Sequence, residues 1–323
     1  MDIRHRPLLD FVWWEITGKC QLACDHCYAS SGPDGVHGTM GVTDWRRVIT
    51  QTREAGAGMG QFIGGEPTLH PALPELVRHA LDTGMEVEIY TNLVHVSPAM
   101  WETFQLPGVR LATSYYSDQP EEHEAITKRR SFRVTTKNIT RAHELGIPLR
   151  AGVIGVLDGQ HSDEGIAMLE RLGVRDVGYD DLREVGRGVR ENGPSVDQLC
   201  GNCGDRQIAI SPTGEVWPCV FSRWLPIGNV QNAHLVEILT SQQFAGITGQ
   251  LREAFAEKKR NPCSPDECNP KCGPSCGPAC QPQYRTPCRP RQGCSPSYGP
   301  CKPDDRLCNP DRNCKPNDCR PTK

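Results

Sequence analysis

The sequence contains no long apolar run and few aromatic residues, which make up only 6% of its 323 residues. No stretch approaches the roughly 18 consecutive apolar residues that a membrane-spanning helix needs, so we expect no membrane partner. The first ten residues carry charges at Asp2, Arg4 and Arg6 and lack the apolar core of a secretory signal. Together these absences predict a cytoplasmic protein.

Cysteine, by contrast, is abundant and unevenly placed. The chain has 17 cysteines, and 11 of them lie in residues 261–323 together with 14 of the 27 prolines. Without an export signal, so many cysteines indicate metal ligation by reduced thiols more than disulfides. Leu307 is the only large aliphatic residue of that segment, which therefore buries too little apolar area to offset the entropy of ordering it. We expect residues 281–323 to form a mobile tail.

Charge is also uneven, although the net charge is only -3. Residues 281–323 carry 9 Lys and Arg against 4 Asp and Glu, whereas residues 1–280 carry 27 against 35. The basic tail contains only Tyr284 and Tyr298 as aromatic residues, so a solvated segment explains it better than a nucleic-acid site. We expect no nucleic-acid partner.

A repeated unit of apolar strand, amphipathic helix and glycine runs from residue 11 to about residue 179. There are six such units, and most of the predicted helices stop at a glycine that can supply a left-handed cap. Alternating strands and helices form a parallel sheet with right-handed crossovers, and six units are too few to close a full barrel. The predicted fold is α/β, an open, partial (β/α)6 TIM-like barrel with functional residues at the C-terminal ends of its strands. A small Cys-rich extension follows it.

Three cysteines directly after the first predicted strand have the spacing C-x3-C-x2-C: Cys20, Cys24 and Cys27. Three thiolates can bind three irons of a four-iron, four-sulfide cluster and leave the fourth iron open to a substrate or cofactor. The alternative is a zinc knuckle with His26 as the fourth ligand. Because His26 and Cys27 are neighbours whose side chains point apart, the pattern favours the open, catalytic cluster.

The second predicted strand ends in the motif Gly64-Gly65-Glu66-Pro67. Two glycines let the backbone approach a ligand, proline fixes the turn, and Glu66 can accept a hydrogen bond from an ammonium group, although a commonplace turn is the alternative. Together with the cysteine loop, this motif resembles the radical S-adenosylmethionine (radical SAM) enzymes. The resemblance implies that SAM chelates the open iron, that one electron splits it to a 5′-deoxyadenosyl radical, and that this motif contacts the amino group of SAM.

The same resemblance implies further contacts to SAM. His26 occupies the position that borders the adenine, and Asn92 and Ser114 end strands where the family places polar contacts to the ribose and carboxylate. Arg183 follows the sixth strand and is expected to face the cofactor. Turn residues that satisfy backbone groups are the alternative for Asn92 and Ser114, and a surface salt bridge is the alternative for Arg183.

A second cysteine group, Cys200, Cys203 and Cys219, surrounds a predicted hairpin. It resembles the SPASM or shorter twitch extension of radical SAM enzymes, which implies an auxiliary [4Fe–4S] cluster with a further ligand from later in the chain. The first candidates for that ligand along the chain are Cys263 and Cys268. The later spacings depart from a full SPASM domain, so we expect one auxiliary cluster at least; a structural zinc is the alternative.

The sequence therefore predicts three regions: a radical SAM core in residues 1–195, an auxiliary cluster domain in residues 196–280, and the tail. We expect an oxidoreductase that abstracts hydrogen from a peptide and so forms a crosslink or oxidises a side chain. One alternative is a radical SAM dehydrogenase or epimerase of a small metabolite such as a sugar or aminoglycoside. Another is a non-enzymatic iron–sulfur or zinc protein. The enzyme would need an electron donor such as flavodoxin or ferredoxin.

Overall fold

The structure is a computed structural model that describes residues 7–191 and 193–260. Its barrel consists of six parallel strands that alternate with helices. The strands are β1 (Phe11–Thr17), β2 (Met59–Gly64), β3 (Glu86–Tyr90), β4 (Val109–Tyr115), β5 (Leu149–Gly155) and β6 (Asp176–Asp181). The helices are α1 (Val42–Glu54), α2 (Leu73–Asp82), α3 (Pro98–Phe104), α4 (Pro120–Thr127), α5 (Phe132–Glu144) and α6 (Ser162–Arg171). The predicted partial (β/α)6 barrel is confirmed.

The chain after β6 extends the sheet on the other side of β1. Strand β7 (Gln207–Ile210) pairs in parallel with β1, and β8 (Glu215–Trp217) and β9 (Gly228–Asn229) continue the sheet in antiparallel fashion. Helices α7 (Leu235–Leu239) and α8 (Gln242–Arg260) follow. The hairpin of β7 and β8 lies where the sequence predicted it, but its pairing with β1 was not predicted. The boundary near residue 195 stays a prediction.

Strand β1 separates two hydrophobic cores because its side chains alternate between the faces of the sheet. Val12, Trp14 and Ile16 pack among the helices that cover the outside of the barrel. Phe11 and Trp13 belong to a second core, shared with residues of β7, β8 and the loop after β8. A parallel strand that is buried on both faces is expected to be nearly all apolar, which explains the apolar run that opens the barrel.

Helix ends follow the predicted signals at most positions. The side chain of Ser97 accepts a hydrogen bond from the Met100 amide at the start of α3, and Gly84 and Gly146 have positive φ angles after α2 and α5. Helix α4 was missed. It ends at Lys128 in the left-handed conformation (φ 59°) instead of at a glycine, so the signal used for the other helices was absent.

No helix within the two described ranges is both long and apolar enough to cross a membrane. The predicted ligands Cys263 and Cys268 and the predicted mobile tail lie outside the described residues.

Candidate active site

The three cysteines of the first motif line one cavity at the C-terminal edge of the parallel strands. The cavity holds about 910 Å³ of empty space, including its open mouth. Besides Cys20, Cys24 and Cys27, it is lined by Leu22, His26, Tyr28, Ile63, Gly64, Gly65, Tyr90, Asn92, Ser114, Tyr116, Ile154, Asp180, Asp181, Arg183 and Phe221. The barrel thus brings together the cysteine loop, the ends of strands β2 to β6 and the loop after β8.

Most of the SAM contacts predicted from the sequence meet in this cavity. The six that line it are His26, Gly64, Gly65, Asn92, Ser114 and Arg183. Glu66 and Pro67 do not line it.

The cysteine loop rests on the end of helix α4. The backbone amide of Ala23 donates to the carbonyl of Thr127 (3.2 Å), and that of Asp25 donates to the carbonyl of Ile126 (3.3 Å). The last carbonyls of a helix have no partner within the helix, so the loop satisfies them. Lys128 adds an ion pair with Asp25 at 2.6 Å. The missed helix therefore supports the catalytic loop.

The loop is fastened from its other side by residues 186–188. The side chain of Arg187 donates to the carbonyls of Cys24 (Nε, 2.9 Å) and Ser31 (Nη2, 2.6 Å). Its backbone amide donates to the carbonyl of Cys27 (3.0 Å). Gly186 has a φ of 61°, and a Cβ there would lie within 2.6 Å of the Cys27 carbonyl oxygen. The sequence did not predict this contact, which holds two of the three cysteines by their backbone.

The sulfur atoms themselves receive hydrogen bonds from the backbone. The amide of Leu22 donates to Cys20 Sγ (3.4 Å), and the amide of Ser31 donates to Cys27 Sγ (3.3 Å). Such bonds are one of the means by which proteins set the reduction potential of an iron–sulfur cluster. Burial raises the pKa of the Cys20 thiol strongly, and burial together with Cys27 raises the pKa of Cys24 to about 12. Bound iron would reverse this effect, since metals bind thiolates.

The two glycines of the second motif allow a close approach to the end of β1. Gly65 donates from its backbone amide to the carbonyl of Thr17 (2.7 Å), and Glu66 donates to that of Lys19 (2.8 Å). A Cβ at Gly64 would lie 2.3 Å from the Thr17 oxygen, and one at Gly65 would lie 2.3 Å from the Lys19 oxygen. The glycines are therefore required for packing against the start of the cysteine loop, and their contact to a ligand stays a prediction.

Glu66 is held by neighbouring residues at the ends of β2 and β3, and its predicted contact to an ammonium group stays a prediction. Its carboxylate is buried and accepts hydrogen bonds from Thr68 (backbone 3.1 Å, hydroxyl 2.7 Å), the Thr91 hydroxyl (2.7 Å) and the Asn92 amide (2.8 Å). Burial raises the pKa of Glu66, while these donors oppose the rise. With both oxygens engaged, the carboxylate joins the end of β2 to the end of β3, and the backbone at Gly64 and Gly65 is what the motif presents to the cavity.

Polar side chains at the strand ends form a connected lining. Asn92 accepts from the Gln21 side chain (3.0 Å) and places its Nδ2 3.7 Å from Cys20 Sγ. Ser114 shares a hydrogen bond of 2.9 Å with Tyr90. His26 Nε2 lies 3.1 Å from the Tyr116 hydroxyl, and burial lowers the His26 pKa to about 4. A neutral His26 that faces Tyr116 borders the cavity and does not complete a zinc knuckle.

Arg183 forms a buried salt bridge and not a surface one. Its guanidinium donates to both oxygens of Asp180 (3.0 and 3.1 Å), and to the carbonyl of Gln198. It also lies over the ring of Phe221, 5.0 Å from the centroid. Burial raises the Asp180 pKa, and Arg183 opposes that rise. Arg183 therefore stiffens the cavity wall with its charge compensated, and its contact to the cofactor stays a prediction.

The second cysteine group lies directly behind that wall. Cys203 Sγ is 2.8 Å from Cys219 Sγ and also contacts Cys200. Cys203 and Cys219 are buried in the same core as Phe221, which lines the cavity only two residues after Cys219. Phe221 in turn packs edge-on against Tyr28, the neighbour of Cys27 (5.1 Å between centroids). Phe221 and Tyr28 thus connect the two cysteine groups.

A buried ion pair joins these two regions further. Glu15, on the inner face of β1, accepts from Arg223 Nη1 at 2.6 and 2.7 Å. The guanidinium of Arg223 lies 4.2 Å from the centroid of Trp217. Sequence reasoning missed this pair, although a charged residue within an otherwise apolar buried strand signals a buried partner.

Both cysteine groups fit iron–sulfur clusters. The first supplies three soft thiol ligands around a cavity with room for a further ligand, as an open cluster corner requires. The second supplies three grouped, largely buried thiols. Within residues 7–191 and 193–260, no three His, Cys, Asp or Glu side chains converge closely enough to hold a single metal ion. A four-iron cluster instead needs ligands spread around its corners.

Three thiols at the mouth of a partial (β/α)6 barrel, beside a glycine-rich loop, define a class of iron–sulfur enzymes with an open cluster corner. The family model of the radical SAM superfamily matches residues 14–172, and that of SPASM, an iron–sulfur cluster-binding domain, matches residues 195–273. The chain belongs to the radical SAM superfamily and carries a SPASM domain. A [4Fe–4S] cluster and SAM are accordingly the cofactors of the radical SAM domain, and auxiliary iron–sulfur clusters are those of the SPASM domain.

Individual relatives share this organisation. The chain is 24% identical over 299 residues to AlbA, the antilisterial bacteriocin subtilosin biosynthesis protein of Bacillus subtilis (strain 168), covering 81% of this chain and 65% of AlbA. It is 26% identical over 297 residues to the PqqA peptide cyclase of Xanthomonas campestris pv. campestris (strain 8004), covering 80% of this chain and 77% of the cyclase. Its fold resembles that of Streptococcus suis SuiB bound to precursor peptide SuiA, with a TM-score of 0.64 at 12% identity. The match covers 75% of this chain and 67% of SuiB. The chain therefore spans just under two-thirds of AlbA.

Proposed function

We propose that this radical SAM enzyme acts on a peptide, from which it removes a hydrogen atom to form a crosslink or to oxidise a side chain. The observation that carries the proposal is the alignment of at least 80% of the chain with two proteins, one named for bacteriocin biosynthesis and the other for a peptide substrate. The precursor peptide in the SuiB structure gives further support.

The lining of the cavity suits radical chemistry. When bound, the cluster and SAM supply a 5′-deoxyadenosyl radical that removes a hydrogen atom from the substrate. The chain lines the cavity with Ile63, Ile154 and Phe221 and with tyrosine rings, which would limit the access of water. Arg183 and Asp180 compensate each other's charge, so the wall presents few strongly hydrated groups. These side chains would shield a reactive species in the cavity from water.

The buried thiols behind Phe221 suit the second half of an oxidation. A substrate that has lost one hydrogen atom must still lose an electron and a proton before a new bond or double bond is complete. Cys200, Cys203 and Cys219 would hold an auxiliary cluster next to the cavity wall, where it can accept that electron. The short path through Phe221 supports this role.

The proposal is tested by incubating the anaerobically reconstituted protein with SAM, dithionite and the short peptides encoded beside its gene. We expect 5′-deoxyadenosine formation to rise with one peptide, and that peptide to lose a pair of hydrogens by mass spectrometry. The variant with Cys200, Cys203 and Cys219 replaced by alanine is the matched control and should cleave SAM without completing the product. Oxidation or epimerisation of a sugar or aminoglycoside, with every peptide unchanged, would replace the peptide proposal by the small-metabolite alternative.

A further inference from the structure

A segment of the barrel carries a concentrated positive charge that the proposed function does not use. Residues 128–143 contain six Lys and Arg and no Asp or Glu, in a chain whose net charge is -3. All six are exposed, and five of them lie near the end of α4 and the start of α5; we call these five the basic face: Lys128, Arg129, Arg130, Arg133 and Lys137. The two acidic residues of the first turn of α4, Glu121 and Glu122, lie at the opposite end of that helix. The basic face is therefore a local cationic surface on an acidic barrel.

This face adjoins the catalytic cysteine loop. The carbonyls of Ile126 and Thr127, which immediately precede the basic face, accept hydrogen bonds from the loop amides at residues 25 and 23. Lys128 Nζ lies 2.6 Å from the carboxylate of Asp25, the residue next to Cys24. Any protein that docks on the basic face would thus contact the outer side of the loop that holds the catalytic cluster.

The residues of the cysteine loop differ in their exposure. Cys20 is buried, whereas Cys24 and Cys27 keep partial exposure, as do Ala23 and Asp25 between and beside them. SAM and the substrate belong to the cavity on the inner side of the loop. Ala23 and Asp25 do not line that cavity and are hydrogen-bonded to the end of α4, so a partner on the basic face meets the loop without entering the cavity.

We propose that the basic face docks an acidic, low-potential one-electron carrier protein, which reduces the catalytic cluster through the outer side of the cysteine loop. The proposal rests on reductive SAM cleavage and not on the identity of the substrate. Each cleavage breaks one carbon–sulfur bond of SAM, releases methionine and consumes one electron, so the carrier is oxidised by one electron per event. Electron-transfer complexes are small and transient, and complementary charge sets their association rate, which suits a face of five exposed cations.

The test reverses the charge of the face without disturbing the fold. In the variant Arg129→Glu/Arg130→Glu/Arg133→Glu, all three side chains are exposed, and position 133 lies in the first turn of α5, where an acidic residue is favourable. The control Arg78→Glu/Arg171→Glu/Arg175→Glu changes the net charge equally at exposed positions away from the cysteine loop. Formation of 5′-deoxyadenosine is measured with dithionite and, separately, with an enzymatically reduced acidic flavodoxin.

We expect the basic-face variant to lose about tenfold or more in kcat/KM for the flavodoxin, because long-range attraction of this kind changes association rates by about 10–1,000-fold. Its rate with dithionite and its iron content should equal those of the wild type, and the control should behave as the wild type throughout. Added salt should slow the flavodoxin-driven reaction of the wild type and affect the variant much less.

Three results would overturn the proposal. Equal flavodoxin-driven rates in the wild type and both variants would show that the face is only solvated. If the basic-face variant no longer binds an acidic peptide but is still reduced by the flavodoxin at the wild-type rate, the basic face belongs to the substrate site. A wild type that does not cleave SAM even with dithionite would instead refute the enzymatic function itself.

Discussion

The ion pair of Glu15 and Arg223 should contribute more to the free energy of unfolding than any other single contact between the barrel and the region after β6. The Glu15 side chain is only 2% exposed, so Arg223→Met would leave a buried carboxylate without its counter-charge. Removing one partner of a buried pair costs about 3–5 kcal/mol. The Arg223 side chain is 25% exposed and can keep water in the variant Glu15→Gln. That change should cost only the charged hydrogen bonds, about 1.5–3 kcal/mol.

The double replacement Glu15→Leu/Arg223→Met provides the control. It removes both charges and fills the space with apolar groups, so its stability should be close to that of the wild type. Anaerobic urea unfolding followed by tryptophan fluorescence measures all four proteins. A loss of 3 kcal/mol lowers the urea midpoint by roughly 1 M or more, given an m-value of about 1–3 kcal/mol/M. An Arg223→Met variant that is no less stable than Glu15→Gln, or a double variant that loses the sum of the single effects, would contradict this role of the ion pair.

Three further predictions concern the loop, the auxiliary site and pH. Arg187→Met leaves the carbonyls of Cys24 and Ser31 without their donor and removes a positive charge beside the cluster. It should therefore lower iron retention and shift the midpoint potential of the cluster to more negative values, with Arg187→Lys intermediate by redox titration. Replacing Cys200, Cys203 and Cys219 by alanine should remove only the auxiliary iron, as iron and sulfide analysis would show. Burial lowers the His123 pKa to about 4, whereas the unfolded chain binds this proton at about 6.5, so stability falls by about 1.4 kcal/mol per unit as pH drops from 6.5 to 4. In urea titrations at pH 6.5 and pH 4, the variant His123→Phe should therefore lose less stability between the two pH values than the wild type does.

The barrel could be predicted because its signals are local. Apolar runs, amphipathic helices and glycines such as Gly84 and Gly146 each act within a few residues, and their alternation determines a parallel sheet. Helix α4 was missed because Lys128 replaces the terminal glycine. The pairing of β7 with β1 was missed because it joins segments about 200 residues apart, and no local pattern records such a contact.

The active site was predictable where chemistry depends on spacing in the sequence. Cys20, Cys24, Cys27 and the glycines of the second motif were located because their spacing defines the site. The partners of Glu66 and Arg183 were not, since a side chain's hydrogen bonds depend on which strand ends meet in space. The contacts of Arg187 could not be predicted either, because they depend on how residues 186–188 pack against the cysteine loop.

Anaerobic 5′-deoxyadenosine formation by the wild type and by the triple variant Cys20→Ala/Cys24→Ala/Cys27→Ala shows directly whether the first cysteine group is needed for SAM cleavage. The wild type should form 5′-deoxyadenosine from SAM and dithionite. The variant should form none, yet keep about four irons per chain if the second cysteine group holds one cluster. Equal formation of 5′-deoxyadenosine by both proteins would contradict the assignment of this cavity as the site of SAM cleavage.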